Sequence, residues 1–171
     1  MGILNGNSKD EPMHYGEIYS VWQFSMAAKS CISTNRLFQY HVGDKDLKKF
    51  LEDVIYQAKL EVSECDSLLT QNGIATTPVL PERPEAKLED IPVGARFTDQ
   101  KVAAISAAGL AASLVGCSSI MGTSIREDIG ALFAKYHTTK AALALRILKM
   151  SKEKGWLIPP PLQVKPESVE E

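Results

Sequence analysis

The chain has 171 residues, 44% apolar and 23% charged, the proportions of a globular domain long enough to bury a core. Nineteen basic and 21 acidic residues leave a net charge of −2, without the surplus of Lys and Arg that a nucleic-acid backbone requires. The opening MGILNGNSKDEP lacks the basic and apolar stretches of a secretory signal, and Gly6 stands where myristoylation of Gly2 needs Ser or Thr, so neither export nor a lipid anchor is expected.

Four helix-patterned segments follow in order. The first covers residues 13–41, with Pro12 suited to the first helical position, where a missing N–H costs nothing. Ile18, Trp22, Ser25, Lys29 and Ile32 lie along one side, Val21, Phe24 and Ala28 broaden it, and Gly43 ends it. Asp44 can cap the second, residues 45–72, whose stripe runs Leu47, Leu51, Val54, Ile55, Ala58, Val62, Cys65, Leu69. Gly73 supplies the left-handed residue that stops it.

Residues 74–97 have no sustained period, and Pro78, Pro81 and Pro84 recur every third residue, favouring extended backbone. A ligand for a proline-binding domain and a stiff connector both fit; the connector is preferred, as a crossover running the length of a helical bundle. Thr98 and Asp99 open the third helix, 98–123. Ser124 and Glu127 have capping-box spacing at the start of the fourth, 125–154, whose stripe is Ile129, Leu132, Phe133, Tyr136, Leu143, Ile147, Met150. Gly155 stops it, and a proline-rich tail, 156–171, is expected to dock through Trp156, Leu157 and Ile158 before fraying at PESVEE. Connections that read short, long, short predict an all-α chain: a single-domain ferritin-like four-helix bundle with a long crossover between helices 2 and 3.

The third helix carries the uncharged run VAAISAAGLAASLVGCSSIMG. Its length suits a bilayer, but Ala, Ser and Gly dominate it and no Trp or Tyr marks either end, so no membrane partner is expected. Leu110, Leu114, Cys117 and Met121 share one side; Ala108, Gly109, Ala112, Gly116 and Ser119 gather on another, where a backbone can approach closely. The run reads as a central strut buried on all sides, by the domain itself or by a second copy.

Chemistry is sparse. Ferritin-like di-metal sites need Glu from two helices and Glu-x-x-His from two others. This chain has no Glu-x-x-His, and its third helix has no Glu, Asp or His between Asp99 and Glu127. The closest matches are Glu61 with Glu64 on helix two and His137 alone on helix four; His14 with Glu17 reads as a solvated-face pair, and Glu17, Glu61 and His137 are the candidates for a mononuclear or vestigial metal site. Cys31, Cys65 and Cys117 are odd in number and widely spaced, which predicts buried, reduced thiols in an intracellular protein. No Gly-x-Ser-x-Gly or phosphate-loop spacing occurs. No catalytic, cofactor-binding or metal residue is assigned, and no cofactor is expected.

GEIYSVWQF in helix one, PVGARFTDQKV entering helix three, SIREDIGALFAKY entering helix four and KGWLIPPPL at the end resemble the ferritin-like helical-bundle family of spore-forming bacilli related to spore coat protein F. These motifs are caps, corners and packing positions. The resemblance implies a non-enzymatic structural or interaction protein of spore-coat type, made in the cytoplasm and placed in the coat with other coat proteins. Tandem modules in relatives imply that a single module forms a homodimer. The alternative is a degenerate metal-binding protein or oxidoreductase.

Overall fold

A computed structural model describes residues 11–163; Gly2, Gly6 and the PESVEE end, on which expectations were stated above, lie outside them. Four long helices, α1 (Tyr15–His41), α2 (Lys45–Gln71), α3 (Asp99–Thr123) and α4 (Glu127–Glu153), account for nearly all of the regular structure, and no strand occurs among the described residues. Three-residue turns fold α1 on α2 and α3 on α4 as antiparallel hairpins. Between hairpins, α1 meets α3 and α2 meets α4 far less extensively.

Helix boundaries follow the capping chemistry. Asp44 accepts the N–H groups of Asp46 and Leu47, Thr98 accepts that of Lys101, and Gly73 and Gly155 take positive φ just beyond α2 and α4. Pro12 is not the first helical residue. The N-cap of α1 is His14, in a capping box with Glu17, so Pro12 lies before the helix. The expected Ser124–Glu127 box is also absent. Ser124 donates its hydroxyl to the Ile120 carbonyl, and Arg126 is the N-cap of α4. A carboxylate from another helix serves this corner instead: Glu17 Oε1 accepts the N–H groups of Ile125 at 2.8 Å and Arg126 at 2.9 Å.

Charged knots fasten the hairpins at both ends. At the end holding the α3–α4 turn, Arg126 donates to the Glu11 carbonyl, to Asn72 Oδ1 and to both oxygens of Asp128. At the opposite end Asp99 accepts the N–H groups of Gly43 and Asp44, while Lys154 pairs with Asp44 and Asp46. Thus α2 and α3 run the same way, and residues 72–98 must travel the molecule's length. They climb beside α1: Thr77 meets Lys29, Glu82 pairs with Arg36, and the Phe97 N–H donates to His41 Nδ1. Most of this stretch has no regular structure, with single 3-10 turns at Leu88–Asp90 and Val93–Ala95.

The core is in two parts. One cluster, toward the α1–α2 turn, centres on Phe38, Leu47, Phe50, Leu51, Val102 and Ile147. The other, toward the α3–α4 turn, centres on Val21, Leu69, Cys117, Ile129, Phe133 and Tyr136. Of the tail, Trp156 packs on the first cluster with the Lys154 ammonium 5.6 Å from its ring centroid. Docking stops there, since Leu157 and Ile158 are exposed, the latter by 81%.

Hydrogen bonds from Arg126 hold the Asp128 carboxyl below its ordinary 3.8, and Lys154 does the same for Asp44. A depressed carboxyl contributes stability above its unfolded-state pKa and loses it as the pH falls toward the folded-state value. Urea titrations are therefore expected to show stability falling as the pH drops below about 4, with a shallower fall for Asp128→Asn. A flat wild-type profile through that window would contradict the assignment.

Candidate functional site

Glu17, Glu61 and His137 are not brought together. Glu17, fully buried, sits in the first turn of α1, and its second oxygen accepts the His14 N–H at 3.1 Å. Its role is to hold a corner of the fold. Glu61 lies ten residues before the end of α2, about 15 Å higher at the helical rise. His137 is half-buried on α4. Among the described residues no three His, Cys, Asp or Glu side chains gather as a metal-ion set.

The partner of Glu61 is Lys140, a residue that sequence reasoning passed over. Lys140 Nζ lies 2.9 Å from Glu61 Oε2, with Glu61 completely buried and Lys140 nine-tenths buried. The ammonium also stands 5.4 Å from the Phe24 ring centroid, and Gln57 donates to Glu61 Oε1 at 3.3 Å. Both positions fall inside their apolar stripes: Glu61 three residues after Ala58 and four before Cys65, Lys140 four after Tyr136 and three before Leu143. A charge in each of two facing stripes was the available signal. The pair occupies the break between the two core clusters, where larger side chains are missing.

A second buried lysine shows the contrast. Lys29 Nζ uses all three donors, on the Thr77 carbonyl at 2.7 Å, Thr77 Oγ1 at 2.8 Å and Asp66 at 2.7 Å. Lys140 Nζ has one hydrogen-bond acceptor among the described residues, and it opens on a cleft. That cleft, about 390 Å³, lies between α1 and α3 at mid-height. Phe24, Ala28 and Cys31 wall it on one side, Ala112, Gly116 and Ile120 on the other, with Ala58, Glu61 and Lys140 as the floor. It exists because small residues face one another there: a Cβ added at Gly116 would meet nothing within 4 Å.

The cysteines lie about this centre without pairing. Burial pushes the Cys65 thiol up to about 12 and Cys117 to about 11, and raises half-buried Cys31 as well, which keeps all three protonated and weakly reactive at neutral pH. Burial also holds the Tyr136 phenol protonated, 3.9 Å from Cys65 Sγ.

The second feature is the outside of α3. The helix is not a strut buried on all sides: Val102, Ala103, Leu110, Cys117 and Ile120 face inward, and the rest is half-buried or exposed. Of the side shared by Leu110, Leu114, Cys117 and Met121, Leu110 and Cys117 are buried, Leu114 is half-buried and Met121 is exposed. Ala104, Ala108, Ala111, Val115, Ser118 and Gly122 form an exposed row spaced four, three, four, three, four, the seam spacing of paired helices, with Val115 71% exposed. Gly109 and Gly122, like Gly116, have open space where a Cβ would lie. By length and composition this helix is also long and apolar enough to cross a membrane.

Removing one member of a buried pair strands the other charge, so Lys140→Ala is expected to cost about 3–5 kcal/mol in urea unfolding. The double change Lys140→Met with Glu61→Leu should restore most of that loss, because an apolar pair of similar volume has nothing left to desolvate. Two losses that simply add would contradict the coupling.

Residues 1–169 match the family described as "Protein of unknown function (DUF3231)". The chain is 49% identical over 164 residues, 96% of each sequence, to "Uncharacterized protein YvdQ" of Bacillus subtilis (strain 168). It is also similar to a crystal structure of a "putative spore coat protein" from Bacillus halodurans, with a TM-score of 0.91 and 43% identity over 93% of this chain and 100% of that one.

Proposed function

The chain belongs to the DUF3231 family, and we propose that it is a non-enzymatic structural and interaction protein of spore-coat type that works as a homodimer. The observation that carries this reading is the uncovered apolar face of α3. A helix apolar all round is stable in water only when something covers it. Its exposed side is mostly Ala, Ser and Gly, which favour close approach of another helix, with Val115 and Met121 the larger apolar residues there, while Val102, Leu110 and Ile120 already face the core. An antiparallel second copy would superpose the seam on itself, with Ala104 opposite Gly122 and Ala111 opposite Val115. It would also bring exposed Lys101 of each copy toward exposed Glu127 of the other.

The likeness to the Bacillus halodurans protein supports a spore-coat location; synthesis in the cytoplasm and other coat proteins as partners are parts of the proposal. The helix order, with α2 and α3 parallel and a long connection between them, supports a ferritin-like classification. The relation to spore coat protein F stands on the motifs quoted from the sequence.

A single comparison tests the proposal. Wild-type chain and Val115→Glu, each tagged and made in sporulating Bacillus subtilis, are followed by light scattering after purification and by extraction of spore coats. Wild type is expected as a dimer recovered in the coat extract, and Val115→Glu as a folded monomer left in the cytosolic fraction. A monomeric wild type, or one absent from the coat, would refute the reading.

A further inference from the structure

We propose that the α1–α3 cleft is a binding site for a small, uncharged, largely apolar molecule carrying a hydroxyl or a similar donor–acceptor group. Its volume, about 390 Å³, lies in the range of small-molecule pockets; alanines, Phe24 and Ile120 make its apolar walls, Ser20, Gln23, Ser113 and Ser119 edge it, and the charged pair forms its floor. That floor is unusual in its spare capacity. Lys140 Nζ makes one hydrogen bond among the described residues where an ammonium can make three, and Glu61 Oε1 receives only the 3.3 Å contact from Gln57. A hydroxyl that accepts from Lys140 while donating to Glu61 fits both of these free positions.

The charge of the occupant follows from the pair. Glu61 and Lys140 already neutralise one another, so an anion would add uncompensated charge beside Glu61, and a cation would do so beside Lys140. A purely apolar molecule would fill the walls and leave the floor unsatisfied. Gly116 gives the cleft its depth, since nothing lies within 4 Å of the place its side chain would occupy. The inference concerns the interior of one chain and does not depend on self-association.

An NMR titration of the isotope-labelled full chain tests it with four probes of similar size: benzyl alcohol, toluene, benzoate and benzylamine. Benzyl alcohol is expected to give saturable shifts of the Ala28 and Gly116 amides and to bind about tenfold more tightly than the other three. Gly116→Leu, which grows into empty space, should remain folded and lose those shifts. Lys140→Met with Glu61→Leu should bind toluene and benzyl alcohol alike. No saturable shift with benzyl alcohol, equal binding of all four probes by wild type, or an unchanged titration in Gly116→Leu would overturn the proposal.

Discussion

The buried ion pair between Glu61 and Lys140 sets the middle of this molecule. Taking either charge out of water alone costs several kcal/mol, so each must be held against the other and neither helix can slide without breaking the match. The pair joins α2 to α4, that is, one hairpin to the other, at a height where apolar side chains provide little contact. The ends repeat the device with different groups. Glu17 takes the free N–H groups at the start of α4, and Asp99 takes those of the α1–α2 turn. Within each hairpin the helices meet through apolar stripes; between hairpins, much of the registration is polar.

That division explains the shape of the interior. An ion pair cannot be packed as tightly as branched aliphatic side chains, and around it stand Ala28, Ala58, Ala112 and Gly116. The result is a core in two clusters with an opening between α1 and α3. On the outside the same economy of side-chain volume continues along α3, whose outward row is mostly Ala, Ser and Gly around Val115. One helix therefore lines an internal space with one edge and presents a flat surface with another. In a bundle without reactive thiols or a gathered ligand set among its described residues, these two surfaces are where molecules can be met.

Most of the architecture was legible in the residues because it depends on local rules. Asp44, Thr98, Gly73 and Gly155 act at their own backbone neighbours, so their roles can be read along the chain. What depended on distant partners could not be read in this way. The Ser124–Glu127 spacing was correct for a capping box, but Glu17, more than a hundred residues earlier, outcompetes it by supplying a buried carboxylate. Lys140 falls in the gap of the α4 stripe and Glu61 inside the α2 stripe; only three dimensions show them as a pair. The α3 run was judged by composition, which reports that a helix is apolar all round and not which neighbours are present to cover it. For the tail, Trp156 found a site against the core, and the described residues after it are exposed.

The glycines of α3 set two quantities against each other. Each mid-helix glycine costs the isolated chain about 1 kcal/mol relative to alanine, and neither Gly109 nor Gly116 has a neighbour in its own chain that would forbid a methyl group. A more robust helix was thus within reach of a one-carbon change, at the expense of access to the backbone. Sequences that drift toward alanine at these positions would gain rigidity as solitary molecules and lose the ability to receive anything at close range.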